Sequence, residues 1–156
     1  MKVRQAKEED IPRLIDLLYQ VHTVHSTGRP DIFKRGSKKY GEEELRAILS
    51  NEKTPVLVAV DEDGLVLGYS FAVLEEIRGD GSLVDRKSLY IDDICVDEAA
   101  RGKHVGSLLY EETLALARRE GCYHVTLNVW ALNEGAQRFY EKCGMTPLKT
   151  TMEKIL

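Results

Sequence analysis

Tyr90-Ile-Asp-Asp-Ile-Cys-Val-Asp-Glu-Ala-Ala-Arg-Gly-Lys-His-Val-Gly106 reads as a strand that ends in a polar loop and turns straight into a helix. Ser88 to Val96 has the apolar and aromatic content of a strand. From Val105 to about Glu120 the pattern is helical: Val105, Leu109 and Leu116 share a face flanked by Leu108 and Ala115, opposite Ser107, Glu111 and Arg118. A helix start presents unpaired backbone N–H groups and a positive dipole end, which together suit a phosphate. Gly102 and Gly106 permit close backbone approach, and Arg101 and Lys103 add positive charge, so the chemistry points to a pyrophosphate. Neither a Gly-Lys-Ser/Thr ending nor a GxGxxG run is present, which excludes a Walker loop and a dinucleotide fold. Alone, the loop also reads as a tight turn with solvated charges.

Downstream, a strand is expected from His124 to Trp130, a helix from Glu134 to Cys143 with Gly144 at a left-handed C-cap, and then a final strand or two. Upstream, Val3 to Ala6 reads as a first strand. Asp10 is placed to cap a helix with Pro12 in its first turn, running to about Val24 on the apolar stripe Ile11, Leu14, Ile15, Leu18 and Val21. A turn-rich stretch from His25 to Gly41 precedes a short helix over Glu42 to Ser50. Val56 to Val60 and Val66 to Leu74 flank the turn signal Asp61-Glu62-Asp63-Gly64 and read as an antiparallel hairpin. A turn at Gly79 to Gly81 then leads to the strand at Ser88. A meander followed by β-α-β-α-β makes the chain α/β in the mixed α+β sense.

The 156 residues are enough for one hydrophobic core and too few for two, so one domain over 1–156 is expected. A hydrophobic fraction of 43% with 31% charged residues argues against disorder. The net charge of −4, with basic and acidic residues interleaved, builds no field for duplex phosphates; nucleic acid is not an expected partner, and a cationic substrate fits slightly better than an anionic one. Cys95, Cys122 and Cys143 are scattered and odd in number, which speaks against a disulfide framework or a zinc site. The N-terminus is charged and no apolar run approaches membrane-spanning length. A cytoplasmic protein with no membrane partner is the reading.

The loop does not stand alone. Arg101-Gly-Lys-His-Val-Gly106 resembles the pyrophosphate signature of the GNAT superfamily of N-acetyltransferases, Gln/Arg-x-x-Gly-x-Gly/Ala, with His104 where the signature has its first glycine. Asn133-Glu-Gly-Ala-Gln-Arg-Phe-Tyr-Glu-Lys-Cys-Gly-Met145 resembles the superfamily's second hallmark, matching at Asn133, Ala136, Tyr140 and Gly144. The resemblance covers Tyr90 to Met145; residues 1–89 agree only in their pattern of elements. It implies a mixed, mostly antiparallel sheet of six to seven strands, splayed between the fourth and fifth, flanked by about four helices. It also implies acetyl-CoA as co-substrate, no metal, and a homodimer.

Carried onto this chain, the resemblance assigns the pantetheine arm to the backbone of Ile94, Cys95 and Val96. The diphosphate goes to Arg101, Gly102, Lys103, His104, Val105, Gly106 and Ser107, with Asn133 and Tyr140 beside the arm. His104 is tolerable there if its φ stays negative and its side chain turns from the phosphates, or if the imidazole reaches one. Tyr140 is the family's proton donor to the leaving thiolate, although its stripe with Ala136, Phe139 and Cys143 also reads as plain core. Tyr90-Ile-Asp-Asp resembles the Leu-Glu-Asp stretch of polyamine acetyltransferases, which makes Asp92 the candidate base working through a water. Asp93 points to the other face of a regular strand, but a bulge could exchange the two. Cys95 and Cys143 have no partnered histidine, so direct transfer in a ternary complex is expected over an acyl-cysteine.

The resemblance also places the acceptor between the N-terminal helices with their loop, here His22 to Phe33, and the end of the strand at Trp130, with His22, His25, Asp31, Phe33 and Tyr40 as lining residues. The same residues also serve as turn caps and loop filling. Asp92, Asp93 and the compact loop make a small-molecule amine the expected acceptor, with a protein amine and a non-catalytic CoA sensor as the alternatives. The histidines show no metal-ligand spacing.

Overall fold

The computed structural model describes residues 1–156. Five strands lie side by side in chain order: β1 (Lys2–Gln5), β2 (Val56–Val60), β3 (Val66–Ile77), β4 (Arg86–Val96) and β5 (His124–Leu127). The first four pair antiparallel, while β4 and β5 run parallel because helix α3 (Val105–Arg119) crosses over between them. The other helices are α1 (Ile11–Gly28), α2 (Glu42–Leu49) and α4 (Glu134–Lys142).

Helices cover both faces of the sheet, which is why β2 is a run of five buried apolar residues with no polar alternation. Val56, Val58 and Val60 join Leu14, Leu17, Leu18 and Leu45 under α1 and α2. Leu57 and Ala59 pack on Val105 and Leu109 of α3. Further along that second face, Leu89 and Ile91 meet Tyr110, Leu116 and Tyr140, which brings α4 alongside α3.

Where β3 faces β4, Phe71 is opposite Asp93 and Ala72 is opposite Ile91, so Asp92 is an extra residue, a β-bulge. One extra residue reverses the alternation beyond it. Leu89 and Ile91 point at the α3 layer, yet beyond the bulge Ile94 and Val96 do so. Cys95 is thereby moved to the α1 layer.

Several boundaries differ from the sequence reading. α1 continues past Val24 to Gly28, bringing His25 into its last turn; the chain leaves the helix only at Arg29, whose α conformation Pro30 disfavours. Asp10 makes no side-chain cap on α1. It accepts instead from the Lys7 amide (2.7 Å) and from both ends of the Arg4 guanidinium (2.7 and 2.9 Å), closing a 3-10 turn ahead of the helix. β5 ends at Leu127, not Trp130. Five strands form, not six or seven: the residues after Gly144 make no strand, Pro147 lacks the N–H a ladder needs, and Leu148, Met152 and Ile155 are exposed. No helix is long and apolar enough to cross a membrane.

Candidate active site

The pairing of β4 with β5 stops at Ile91 opposite Leu127, and the next residue of β4 is the bulge. From Asp92 to Val96 the β5 side of β4 has no strand partner, so its backbone groups are free to bind an extended polar ligand. The opening leads to the start of α3. There the first amide to close a helical bond is Leu108, onto the His104 carbonyl (3.1 Å), which leaves the amides of Val105, Gly106 and Ser107 bare. A cavity of about 270 Å³ sits on this entrance, walled by Val96, Arg101, Gly102, His104, Gly106 and Ser107, with Ala100, Val105 and Phe139 completing it.

Lys103 is exposed and outside that wall, and Ala100 and Phe139 are lining residues that the motif did not indicate. His104 departs from the expected negative φ: it lies at φ 61°, left-handed, the sole non-glycine residue of the chain with positive φ. It occupies in the structure the conformation that the signature's glycine would adopt without strain. Its side chain makes no capping bond.

The bulge brings both carboxylates under the α1 layer. Asp92 accepts from the Tyr40 hydroxyl at Oδ2 (2.6 Å) and from Lys39 Nζ at Oδ1 (2.8 Å); Asp93 accepts from the Tyr69 hydroxyl (2.7 Å). Burial pushes the Asp93 carboxyl above the usual range, only partly offset by the Tyr69 hydrogen bond and the charge of Lys39. Burial likewise raises Tyr40 and Tyr69, so both phenols stay protonated donors.

Tyr140 is buried between Phe139 and Tyr110, with ring centroids 5.2 and 6.2 Å away, and its hydroxyl has no hydrogen-bond partner within the chain. Its pKa is raised, first by burial and then by the charge of Asp93, so it holds its proton across the physiological range. Asn133 caps α4, accepting from the Ala136 amide (3.1 Å). Cys95 is buried with its sulfur 3.8 Å from the Leu17 carbonyl oxygen. Burial and the charge of Asp93 push its thiol up to about 12, so no thiolate nucleophile exists there at neutral pH.

Four of the residues expected around the acceptor meet. Phe33 lies 5.0 Å from Trp130 edge-on, 5.0 Å from His25 and 5.8 Å from His22. Burial, then His22 and Lys39, lower the His25 pKa and favour its neutral form. His22 Nε2 is 2.6 Å from the Lys34 carbonyl, to which it must donate. Asp31 does not join them: it pairs with Arg29 (2.8 Å), which also holds Glu153 of the tail (2.5 Å). Lys39 and Tyr69 were not anticipated. Tyr69 lies opposite Cys95 across β3 and β4, a juxtaposition that only the strand register reveals.

A sheet opened beside its parallel pair, with a bare helix entrance at the opening, defines a protein built to take an extended ligand that carries a phosphate. The chain belongs to the acetyltransferase (GNAT) family, whose profile matches residues 18–145, and it is an acyltransferase. It is 26% identical to a glucosamine 6-phosphate N-acetyltransferase of Arabidopsis thaliana over 98% of this chain and 95% of that protein. A glucosamine 6-phosphate N-acetyltransferase of Oryza sativa is 33% identical over 62% of this chain; that match spans about three fifths (61%) of the rice protein's length. Among solved structures, a mutant of the BH1408 protein from Bacillus halodurans superposes with TM-score 0.96 at 33% identity, covering 100% of this chain and 99% of that one.

The family uses acetyl-CoA as co-substrate, and the residues present fit its diphosphate. Three bare amides converge on the cavity beside Arg101. A Cβ on Gly106 would stand 3.6 Å from Val96 Cγ2 and 3.7 Å from Phe139, filling space that the glycine leaves open.

Proposed function

We propose that the chain is a one-domain N-acetyltransferase that moves an acetyl group from acetyl-CoA to the primary amine of a small molecule, by direct transfer in a ternary complex. The observation that carries the reading is the coincidence at Ile91–Asp93. Strand pairing ends, the bulge turns two carboxylates inward, and an unpartnered Tyr140 hydroxyl lies within the field of Asp93.

An alkylammonium has a pKa near ~10.4, so about 4.6 kcal/mol is needed to present the free amine at pH 7. Asp92 would hold the ammonium, and Asp93, whose carboxyl is the more basic for its burial, would take the proton. The amides of Val105, Gly106 and Ser107 with Arg101 would hold the diphosphate, and the free edge of β4 the pantetheine arm; the thioester supplies an activated acetyl carbonyl. Tyr140 would give the departing sulfur a proton, its own raised pKa keeping that proton available. The aromatic wall of His25, Phe33 and Trp130 would take the body of the acceptor.

The names of the Arabidopsis and rice relatives make glucosamine 6-phosphate the first acceptor to test. Thiol release from acetyl-CoA, measured across glucosamine 6-phosphate, arylalkylamines and polyamines, should show turnover with at least one. Silence with all of them, but activity on peptide amines, would reassign the acceptor to a protein. CoA binding with no turnover would make the chain a sensor.

A cytoplasmic homodimer completes the proposal. The outer edge of β5 is unpaired and Leu148, Met152 and Ile155 are exposed, features that a second copy would cover. A monomer in sedimentation at micromolar concentration would reject it.

A further inference from the structure

Lys39 precedes α2, and its side chain is 44% exposed, yet its ammonium is turned inward. It lies 2.8 Å from Asp92 Oδ1, 3.5 Å from the Asp92 carbonyl oxygen and 5.5 Å from the centroid of the Tyr40 ring. Its charge acts on Asp93 and on His25, so both the acid pair and the aromatic wall lie within its electrostatic reach. The adjacent Lys38 turns elsewhere, to the Tyr19 hydroxyl (3.2 Å) and ring (4.8 Å). An ion pair this accessible adds about 0–1 kcal/mol to a fold, too little to explain the seat as an anchor. What the seat does is bind a primary alkylammonium on a flexible stem, which is the chemical class of the acceptor.

We propose that Lys39 Nζ is a built-in acceptor and that the chain acetylates itself at Lys39 when no external amine is present. The inference rests on the acetyl-CoA reading above. In the transfer, the ammonium gives one proton by way of Asp92 to Asp93, and the freed nitrogen lone pair attacks the thioester carbonyl carbon. The N–C bond forms as the C–S bond breaks, and the sulfur takes a proton from Tyr140. A second proton leaves the nitrogen to restore Tyr140, the third stays as the amide N–H, and the first passes from the acid pair to solvent. The product amide is neutral and loses its attraction for Asp92, so the seat opens to an external amine.

The test uses the full chain with acetyl-CoA, intact mass spectrometry and peptide mapping. One acetyl group is expected at Lys39, added on the order of tenfold or more faster than at Lys38, because Nζ is held beside its base. The rate per molecule should not change with protein concentration, an external acceptor should protect, Lys39→Arg should abolish the label and Lys38→Arg should retain it. Labelling of Lys39 no faster than Lys38 overturns the inference, as does a Lys39 left unmodified by acetyl-CoA alone in enzyme that a separate assay shows to turn over an external amine. Enzyme that binds no CoA and acetylates neither removes the acetyl-CoA reading, and the inference falls with it.

Discussion

Replacing His104 by glycine should stabilise the fold. A left-handed backbone costs an L-residue roughly 1–2 kcal/mol through crowding of Cβ against the following carbonyl. His104 sits at φ 61° and its imidazole makes no capping bond that would offset the strain. Glycine removes the crowding but adds about 0.5–1 kcal/mol of backbone entropy to the unfolded chain. The net expectation for His104→Gly is a gain of about 0–1.5 kcal/mol, which for a chain of this size raises Tm by up to ~6 °C. His104→Ala keeps the strain and should gain nothing. Urea unfolding of the wild type and both variants gives the order, and CoA titration of each shows whether the loop still binds. If His104→Gly proves less stable than His104→Ala, the left-handed conformation at α3's entrance is wrong, and the argument that His104 sits in a glycine position fails with it.

Three further outcomes follow from the same geometry. Tyr140→Phe should lower kcat by about 10²–10⁴ with CoA affinity unchanged, since only the proton donor is removed; equal kcat would end its acid role. Asp93 has a folded pKa above its unfolded value, so its contribution to stability is full at low pH and is lost as pH rises through the folded pKa. Asp93→Asn should therefore flatten the pH dependence of unfolding above the usual carboxylate range while removing the rising limb of the pH–activity profile, and an unchanged pair of profiles would contradict both. Gly68→Ala should destabilise by ~1–3 kcal/mol, because its Cβ would stand 2.5 Å from the Cys95 carbonyl oxygen and 3.1 Å from Leu109; denaturant midpoints within error of wild type would refute that crowding.

The strand–loop–helix at Tyr90–Gly106 was legible because its signals are local: an apolar run, glycines, then a 3.6-residue period. The Gly144 cap was legible for the same reason, and it forms with φ 85°. What escaped is non-local. The bulge at Asp92 is defined by where Phe71 and Ala72 fall on another strand, so the sequence admits it without fixing it. Tyr69 and Lys39 reach the acids across 24 and 53 residues of chain, and no spacing rule connects them. The aromatic group of His22, His25, Phe33 and Trp130 was named residue by residue, and the close approach of Gly28 to Leu132 shows why they meet: the end of α1 rests on the loop after β5. Asp31 was named on the same grounds and went to Arg29 instead, since an adjacent guanidinium outcompetes a distant site.

The extra residue in β4 makes the length of that strand a matter of parity. Removing Asp92 would make Ile91 and Asp93 neighbours in a regular ladder against β3, and everything downstream as far as Val96 would keep its present side. Ile94 and Val96 would stay beneath α3 and Cys95 under α1, so the shortened strand would keep its core and lose the local distortion and the Asp92 carboxylate. A change of two residues before the bulge would leave each side chain on its present side, whereas a change of one would not. Among descendants of this sequence, insertions and deletions between Arg86 and Ile91 should therefore survive in pairs or be absent, while a single loss at position 92 is one the fold absorbs.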